Sequence, residues 1–223
     1  MKKKNIIDDG FRADLVKTAF FDGALEIPII DKPKEIVIPE GLVPYSKRER
    51  DAERKCFVCF YELDLKFRDC LTAVDEHLED LRRFPGIISP DCSLYRDMPL
   101  CLQIANTYLN RAVGHYLQSK GLYVVPNVRW GDERTYATDV LPEKIAFLGV
   151  PKRSVVSIGT YGCVKSAEDK RYFREGLTAM LDELEPEVVL VYGSTPKRVF
   201  EGLEDRTRFV PFPNWIAHKK GGD

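Results

Sequence analysis

The stretch Val188-Val189-Leu190-Val191-Tyr192-Gly193-Ser194 is an unbroken apolar run that ends in two small residues. An apolar run without polar alternation is typical of a strand that is covered on both faces, as in a parallel sheet. Pro186 precedes the run and ends a helical stripe that includes Phe173, Leu177 and Leu184. A helix followed by a buried strand is the repeating unit of α/β folds.

The same alternation extends back along the chain to residue 56. The pattern predicts buried strands at residues 56–61, 86–89, 123–128, 154–158, 188–192 and 208–212. Apolar residues at helical spacing lie between them, over residues 67–81, 102–117, 173–184 and 199–203. Gly121 follows the second of these stripes and predicts its end. We therefore expect an α/β fold of repeated β-α units with a mainly parallel sheet, either an open doubly wound sheet or an incomplete barrel.

Three segments organise the chain. Residues 1–50 carry short β-branched runs broken by proline, which predict an extended N-terminal arm. Residues 51–215 form the α/β domain, and residues 216–223 form a polar tail. The 223 residues suit a single domain.

The composition bears on whether the chain binds nucleic acid, crosses a membrane or carries disulfides. The net charge is −1, with 34 basic and 35 acidic residues, whereas a protein that grips nucleic acid through its phosphates usually carries a basic excess. The neutral net charge argues against such a protein but does not exclude a local basic patch. The basic start of the chain is not followed by an apolar stretch, and no run approaches the ~18 apolar residues of a membrane span. We expect a cytoplasmic protein without a membrane partner, whose six cysteines are reduced.

Polar and aromatic residues follow almost every predicted strand. Ligands of parallel α/β proteins bind outside the carboxyl ends of the strands, so the sequence predicts a ligand site at that edge. The residues expected to bind the ligand are Asn106, Asn127, Arg129, Trp130, Arg134, Gly159, Thr160, Gly162, Lys165 and Ser194.

The segment Gly159-Thr160-Tyr161-Gly162-Cys163-Val164-Lys165-Ser166 suggests an anion site. Its glycines allow a tight turn from strand to helix, and the free amides of a helix start favour phosphate or carboxylate. Lys165 would add positive charge. The glycine spacing is neither that of a P-loop nor that of a dinucleotide fingerprint, and a plain tight turn is the alternative.

Cys163 is a less convincing nucleophile. A helix start would favour its thiolate, but a nucleophile needs a base. His77 and His115 lie within predicted helices and His218 in the tail, so a core-facing cysteine is favoured. Cys56 and Cys59 have zinc-like spacing but belong to a strand, and no metal site is predicted.

Three carboxylates are candidate catalytic residues: Asp91, Asp132 and Glu133. Asp132 and Glu133 could act as acid and base or as ligand clamps. Asp91 and Asp132 could act as the separated carboxylates of a hydrolase or as Mg²⁺ ligands. Asp132 and Glu133 lie between Arg129 and Arg134, and an ion-pair network that pins a loop explains that cluster equally well.

Several motifs together resemble the domain-of-unknown-function family 4417, over about residues 56–215. They are Ile88-Ser89-Pro90-Asp91, Tyr95-Arg96-Asp97-Met98-Pro99-Leu100, Gln103-Ile104-Ala105-Asn106-Thr107-Tyr108, Arg111-Ala112, Pro126-Asn127-Val128-Arg129-Trp130-Gly131-Asp132-Glu133-Arg134, Gly159-Thr160-Tyr161-Gly162-Cys163 and Val191-Tyr192-Gly193-Ser194. Ala105, Cys92 and Cys101 depart from the family pattern outside the charged motifs. The resemblance implies a bacterial, phage or mobile-element setting and brings no catalytic residue with it.

Two functions follow as hypotheses. In the first, the chain is an enzyme or binding protein for a small phosphorylated or nucleotide-like molecule. In the second, it is a non-catalytic phage or mobile-element accessory protein that binds nucleic acid or a host protein, for example in replication. Arg129, Arg134 and Lys165 would then contact phosphates, and Trp130 or Tyr136 would stack on bases. The sequence identifies no cofactor and no oligomeric state.

Overall fold

The strands are short, and those from residue 57 onward lie at the positions that the apolar runs predict. Leu42–Pro44 is a further strand, within the segment predicted as an extended arm. The computed structural model describes residues 12–215. In that part of the chain the strands are β1 Phe21–Asp22, β2 Ile27–Pro28, β3 Leu42–Pro44, β4 Phe57–Cys59, β5 Ile87–Ile88, β6 Val124–Val125, β7 Val155–Gly159, β8 Val188–Tyr192 and β9 Arg208–Phe212. The polar tail, His218 and the first eleven residues of the predicted arm lie outside the described residues.

Six α-helices separate the strands of the described chain. They are α1 Arg68–Thr72, α2 Val74–Leu81, α3 Leu100–Ser119, α4 Glu133–Tyr136, α5 Ala167–Leu184 and α6 Lys197–Phe200. Two short 3-10 helices, Tyr45–Arg50 and Asp64–Lys66, precede α1. None of the helices in residues 12–215 combines the length and the apolar composition that crossing a membrane requires.

Seven strands run parallel in the order in which they occur. The order β3-β4-β5-β6 forms one sheet and β7-β8-β9 a second, whereas β1 and β2 form a separate antiparallel pair. A parallel bridge between Asn127 and Ser157 joins the two sheets. The amide of Val128 donates to the Ser157 carbonyl at 2.8 Å, and the Ser157 amide donates to the Pro126 carbonyl at 2.9 Å. The described strands β3 to β9 therefore form one continuous series.

This series curls on itself. Tyr61 follows β4 and Tyr192 ends β8, which lies four strands away, about 19 Å in a flat sheet with strands ~4.8 Å apart. Their rings nevertheless stack with centroids 5.1 Å apart. Because the strand order never reverses, the series has no switch point of the doubly wound kind. Within residues 12–215 β3 and β9 do not pair, so the fold is the incomplete barrel of the two predicted alternatives.

Hydrophobic residues fill both sides of the curled sheet. Inward-facing side chains from different strands, among them Phe57, Ile88, Val125 and Leu190, form one interior cluster. Two further clusters lie between the outer face and the helices. All five residues of β8 are buried, as their apolar run predicts.

The helix ends follow local sequence signals in two cases. Gly121 has a φ of +86° just after α3, a conformation that glycine adopts at low cost. At the start of α5 the Ser166 side chain accepts from the Asp169 amide and the Asp169 side chain accepts from the Ser166 amide, which forms a capping box.

The helix expected over residues 67–81 is broken. Ala73 lies between α1 and α2 with φ −145° and ψ +45°. The Thr72 carbonyl accepts a hydrogen bond from the Arg12 guanidinium at 2.7 Å rather than from the next helical turn. A contact from a residue 60 positions away along the chain is invisible to helical periodicity.

Candidate functional site

Asp91, Asn127 and Arg129 meet at the carboxyl ends of β5 and β6. The two strands pair in parallel, with Ile88 opposite Val125, so the segments that follow them leave the sheet side by side. Asn127 Nδ2 donates to Asp91 Oδ1 at 2.8 Å, and Arg129 Nη1 donates to Asp91 Oδ2 at 2.9 Å. This edge is where the sequence predicts the site.

Burial sets the electrostatics of this trio. Asp91 and Asn127 are 6% and 0% exposed, respectively. Burial raises the pKa of the Asp91 carboxyl, and Arg129 and Asn127 oppose that rise. Burial also disfavours the Arg129 cation, but the charge of Asp91 and the smaller contributions of Cys163, Tyr95 and Asp64 together outweigh it, so the pKa of the guanidinium is raised. Arg129 is thus held as a cation beside a carboxyl group that accepts a proton more readily than an exposed one.

Two nitrogens of the Arg129 guanidinium, Nη2 and Nε, lack a strong hydrogen bond within the described chain. Of the acceptors in residues 12–215, its Nη2 contacts only the Cys163 thiol, at 3.8 Å. Its buried Nε has no hydrogen-bond partner among residues 12–215. An unpaired buried donor costs about 1–3 kcal/mol, and such groups concentrate where a ligand or function compensates.

Tyr61 and Ser157 hold Asn127 in place, and sequence reasoning missed both. The Tyr61 hydroxyl donates to Asn127 Oδ1 at 3.1 Å and lies 2.6 Å from Ser157 Oγ. With its oxygen on Tyr61, the Asn127 amide presents its NH₂ group to Asp91. A serine inside the apolar run of β7 is the signal that could have found this contact.

Arg111 is a third residue that the sequence analysis did not assign to the site. It is 1% exposed and donates to the carbonyls of Asn127, Ala146 and Leu148 at 2.8, 3.0 and 2.9 Å. Burial lowers the pKa of Arg111 to about 9. Its guanidinium satisfies loop carbonyls behind the trio, and an arginine on the buried face of α3 was the available signal.

Two cavities open at this edge and share Asp91 and Arg129 as a common wall, whereas Asn127 lies behind them and lines neither cavity. The smaller has a volume of about 240 Å³ and the larger about 660 Å³. Both are lined by Asp91, Tyr95, Arg129, Gly159, Gly162 and Cys163. The larger falls in the range of roughly 300–1,000 Å³ that is usual for small-molecule sites.

Gly159 is required where these cavities meet. A Cβ at this position would lie 2.4 Å from the Tyr61 ring, closer than real contacts allow. The structure corrects the expected strand-to-helix turn after Gly159, because α5 begins only at Ala167. Its first turn is closed by the Ser166–Asp169 capping box, so residues 160–165 form a loop before the helix rather than its N-terminus.

The residues of this loop have different surroundings. Lys165 is exposed and lines the larger cavity. Thr160 is buried, lines neither cavity and donates to the Ser194 carbonyl at 2.7 Å. Ser194 is exposed and also lines neither cavity. Cys163 packs against an outer cluster, and burial raises the pKa of its thiol although Arg129 opposes the rise.

Asp132 and Arg134 form a separate ion pair. Asp132 is the N-cap of α4 and accepts from the Arg134 amide, from Arg134 Nε and Nη2 and from Gln103 Nε2, all within 2.7–3.1 Å. Glu133 is exposed in the first turn of α4. None of the three lines either cavity, and the contacts are those of a network that pins a loop.

Of the remaining predicted residues, one lines a cavity and one does not. Trp130 lines the smaller cavity and its ring lies 4.9 Å from that of Phe173. Asn106 lines neither cavity and donates to the Ser93 carbonyl at 2.6 Å. Within residues 12–215, no group of three or more His, Cys, Asp or Glu side chains is arranged to hold a metal ion.

Comparisons with known proteins agree with the family resemblance. The family model described as "Domain of unknown function (DUF4417)" matches residues 19–213. The "Gene 1 protein" of Mycobacterium phage L5 is 31% identical over 173 residues, which are 76% of this chain and 72% of that protein. The "Gene 1 protein" of Mycobacterium phage D29 is 30% identical over 173 residues, 76% of this chain and 61% of that protein, less than two thirds of its length. The comparison with solved structures yields no significant match.

Proposed function

The chain belongs to the DUF4417 family, and from the geometry of its site we propose that it binds a small phosphorylated or nucleotide-like molecule at the carboxyl ends of its strands. The ligand anion contacts Arg129. Asn127 and Asp91 hold that guanidinium in position. The two cavities that Arg129 lines admit the rest of the molecule.

The observation that carries this proposal is that the guanidinium of Arg129 is only partly hydrogen-bonded within the described residues. Nη1 is paired with Asp91, whereas in the described part of the chain Nη2 has only a thiol contact, at 3.8 Å. The side chain lines both cavities. A guanidinium matches two oxygens of a phosphate or carboxylate group, and such charge-assisted hydrogen bonds are the strong ones. Ordinary ion pairs that only stabilise a fold do not need to face a cavity.

An enzymatic form of the proposal assigns proton transfer to Asp91. Burial raises the pKa of this carboxyl towards neutrality, the direction that suits a general acid or base. Of the three candidate carboxylates, Asp91 lines both cavities, whereas Asp132 is committed to Arg134.

Calorimetric titration of the purified protein with nucleotides, sugar phosphates and inorganic phosphate tests the proposal. We expect at least one of these anions to bind, and Arg129→Lys, which keeps the charge but loses the planar fork, to weaken binding about tenfold or more. Arg206→Lys is the matched control, because Arg206 pairs with Asp182 and lines neither cavity. Equal affinity of both variants and the parent protein would contradict the proposal.

A second candidate function is that of a phage accessory protein that binds single-stranded nucleic acid or a host protein. It is supported by the phage relatives and by the exposed rings of Tyr95 and Tyr161 beside Lys165 at the larger cavity. Fluorescence anisotropy with labelled oligonucleotides tests the nucleic-acid form. Binding that weakens steeply with added salt supports this candidate, and no binding at low salt argues against it.

A further inference from the structure

The two cavities share a wall and both carry aromatic side chains, but they differ in their balance of charge. The smaller cavity contains two cations, Arg96 and Arg129, and two carboxylates, Asp91 and Asp169. Arg96 pairs with Asp169 at 3.2 Å and Arg129 pairs with Asp91 at 2.9 Å, so its charges are balanced. Most of its other lining side chains are apolar or aromatic: Leu94, Tyr95, Val128, Trp130, Ile158, Tyr172 and Phe173.

The larger cavity has a surplus of cations. Lys47, Lys66, Arg129 and Lys165 line it against two carboxylates, Glu62 and Asp91. Glu62 is already occupied, since it accepts from the amide and the hydroxyl of Ser46 at 2.8 and 2.6 Å. In the part of the chain that the structure describes, neither Lys47 nor Lys165 forms an ion pair.

We infer that the cavities are two subsites for one nucleoside phosphate, whose base enters the smaller cavity and whose phosphate lies in the larger. This inference rests on the proposed function and specifies its ligand. Aromatic and apolar walls with balanced charge favour a flat, uncharged ring, whereas unpaired ammonium groups favour a phosphate. Arg129, at the shared wall, contacts the phosphate from the side nearest the base.

Substituting Tyr172 tests the base subsite, and substituting Lys47 and Lys165 together tests the phosphate subsite. Tyr172 lines only the smaller cavity of the two, and Lys47 and Lys165 line only the larger. Phe20 is 77% exposed and lines neither cavity, so Phe20→Ala is the control for loss of an aromatic ring. Lys197→Ala is the control for loss of a surface charge, because Lys197 is exposed and lines neither cavity.

The experiment is calorimetric titration of the full chain with the four common nucleosides, their 5′-monophosphates and ribose 5-phosphate. We expect a monophosphate to bind tighter than its nucleoside and tighter than ribose 5-phosphate. Tyr172→Ala should weaken nucleotide and nucleoside about tenfold and leave ribose 5-phosphate unchanged. The Lys47→Ala, Lys165→Ala double variant should weaken nucleotide and ribose 5-phosphate and leave the nucleoside unchanged. Melting without ligand checks that each variant is folded.

Other outcomes overturn the inference in distinguishable ways. If ribose 5-phosphate binds as tightly as the nucleotides and Tyr172→Ala has no effect, the base subsite is wrong and the proposed anion site stands. If none of the small anions binds, both fail. If an oligonucleotide binds and no mononucleotide does, the inference is wrong and the second candidate function is favoured.

Discussion

Asp91 Oδ2 lies 2.9 Å from Arg129 Nη1, and both side chains are largely withdrawn from water, with 8% and 19% of their surface exposed. The pair joins the ends of two neighbouring strands, β5 and β6, through residues 38 positions apart. A buried pair of this kind makes each partner depend on the other, because removing one leaves an uncompensated charge.

The stability of the protein should show this dependence. Arg129→Ala is expected to lower the free energy of unfolding by about 3–5 kcal/mol, because Asp91 stays buried without its cation. The double variant Asp91→Asn, Arg129→Ala should lose less than the two single variants together. Urea unfolding measures all three. The exposed pair Lys32–Glu187 is the control and should couple by about 0–1 kcal/mol; similar coupling in both pairs would contradict the prediction.

Tyr61 should act on the ligand site through Asn127. Tyr61→Phe removes one hydroxyl, which is expected to cost about 1 kcal/mol of stability, and frees the Asn127 amide to rotate away from Asp91. Anion affinity measured by calorimetry should therefore fall. The matched control is Tyr123→Phe, whose hydroxyl contacts Glu35 and Val37 away from the cavities. Equal losses of affinity in both variants would show that Tyr61 has no positioning role.

Asp132 should make the stability of the protein depend on pH. Burial tends to raise the pKa of this carboxyl, but hydrogen bonds from Arg134 and Gln103 outweigh it and the net pKa is lowered. A lowered folded-state pKa stabilises the protein above the unfolded value of about 3.9, and this stabilisation is lost as pH falls through the folded value.

Asp132→Asn keeps an N-cap residue and removes the charge. The stability difference between the parent protein and this variant should therefore be largest near neutral pH and shrink as pH falls below about 4. Urea unfolding between pH 7 and pH 3 measures it. Asp182→Asn, at an exposed ion pair, is the control, and a difference that stays constant with pH would contradict the prediction.

Gly159 should tolerate no side chain. Gly159→Ala places a Cβ 2.4 Å from the Tyr61 ring and should cost about 1–3 kcal/mol of stability, with a change in the near-ultraviolet circular dichroism of the tyrosines. Gly162→Ala has open space around it but a φ of +83°, so it should cost about 1 kcal/mol without that spectral change. Identical spectra of the two variants would argue against the contact.

Local pattern predicted the elements well where apolar runs are long. The bounds of β8 and β9 agree with residues 188–192 and 208–212, and Gly121 follows α3 as expected. The apolar stripe over residues 173–184 did not indicate where α5 starts, because the capping side chains of Ser166 and Asp169 decide it. Helix ends depend on such single hydrogen bonds, which periodicity does not record.

Cavities lie at the strand ends, but only some of the predicted site residues line them. Strand ends carry the unusual polar residues, and Asp91, Arg129 and Trp130 do line the cavities there. Asp132 and Arg134 come from the same charged run but bind each other two residues apart. Sequence spacing cannot tell a side chain that faces a cavity from one that caps a helix.

The sequence by itself determined that strands and helices alternate and that polar residues follow the strands, because hydrophobic periodicity and turn chemistry act within a few residues. Tertiary structure alone decided that the sheet curls and which side chains meet. Tyr61 reaches Asn127 and Ser157 across 66 and 96 residues of chain, and stacks on Tyr192. Such contacts depend on the register and curvature of strands that are distant in sequence, and these are set by packing in the barrel interior rather than by any local preference.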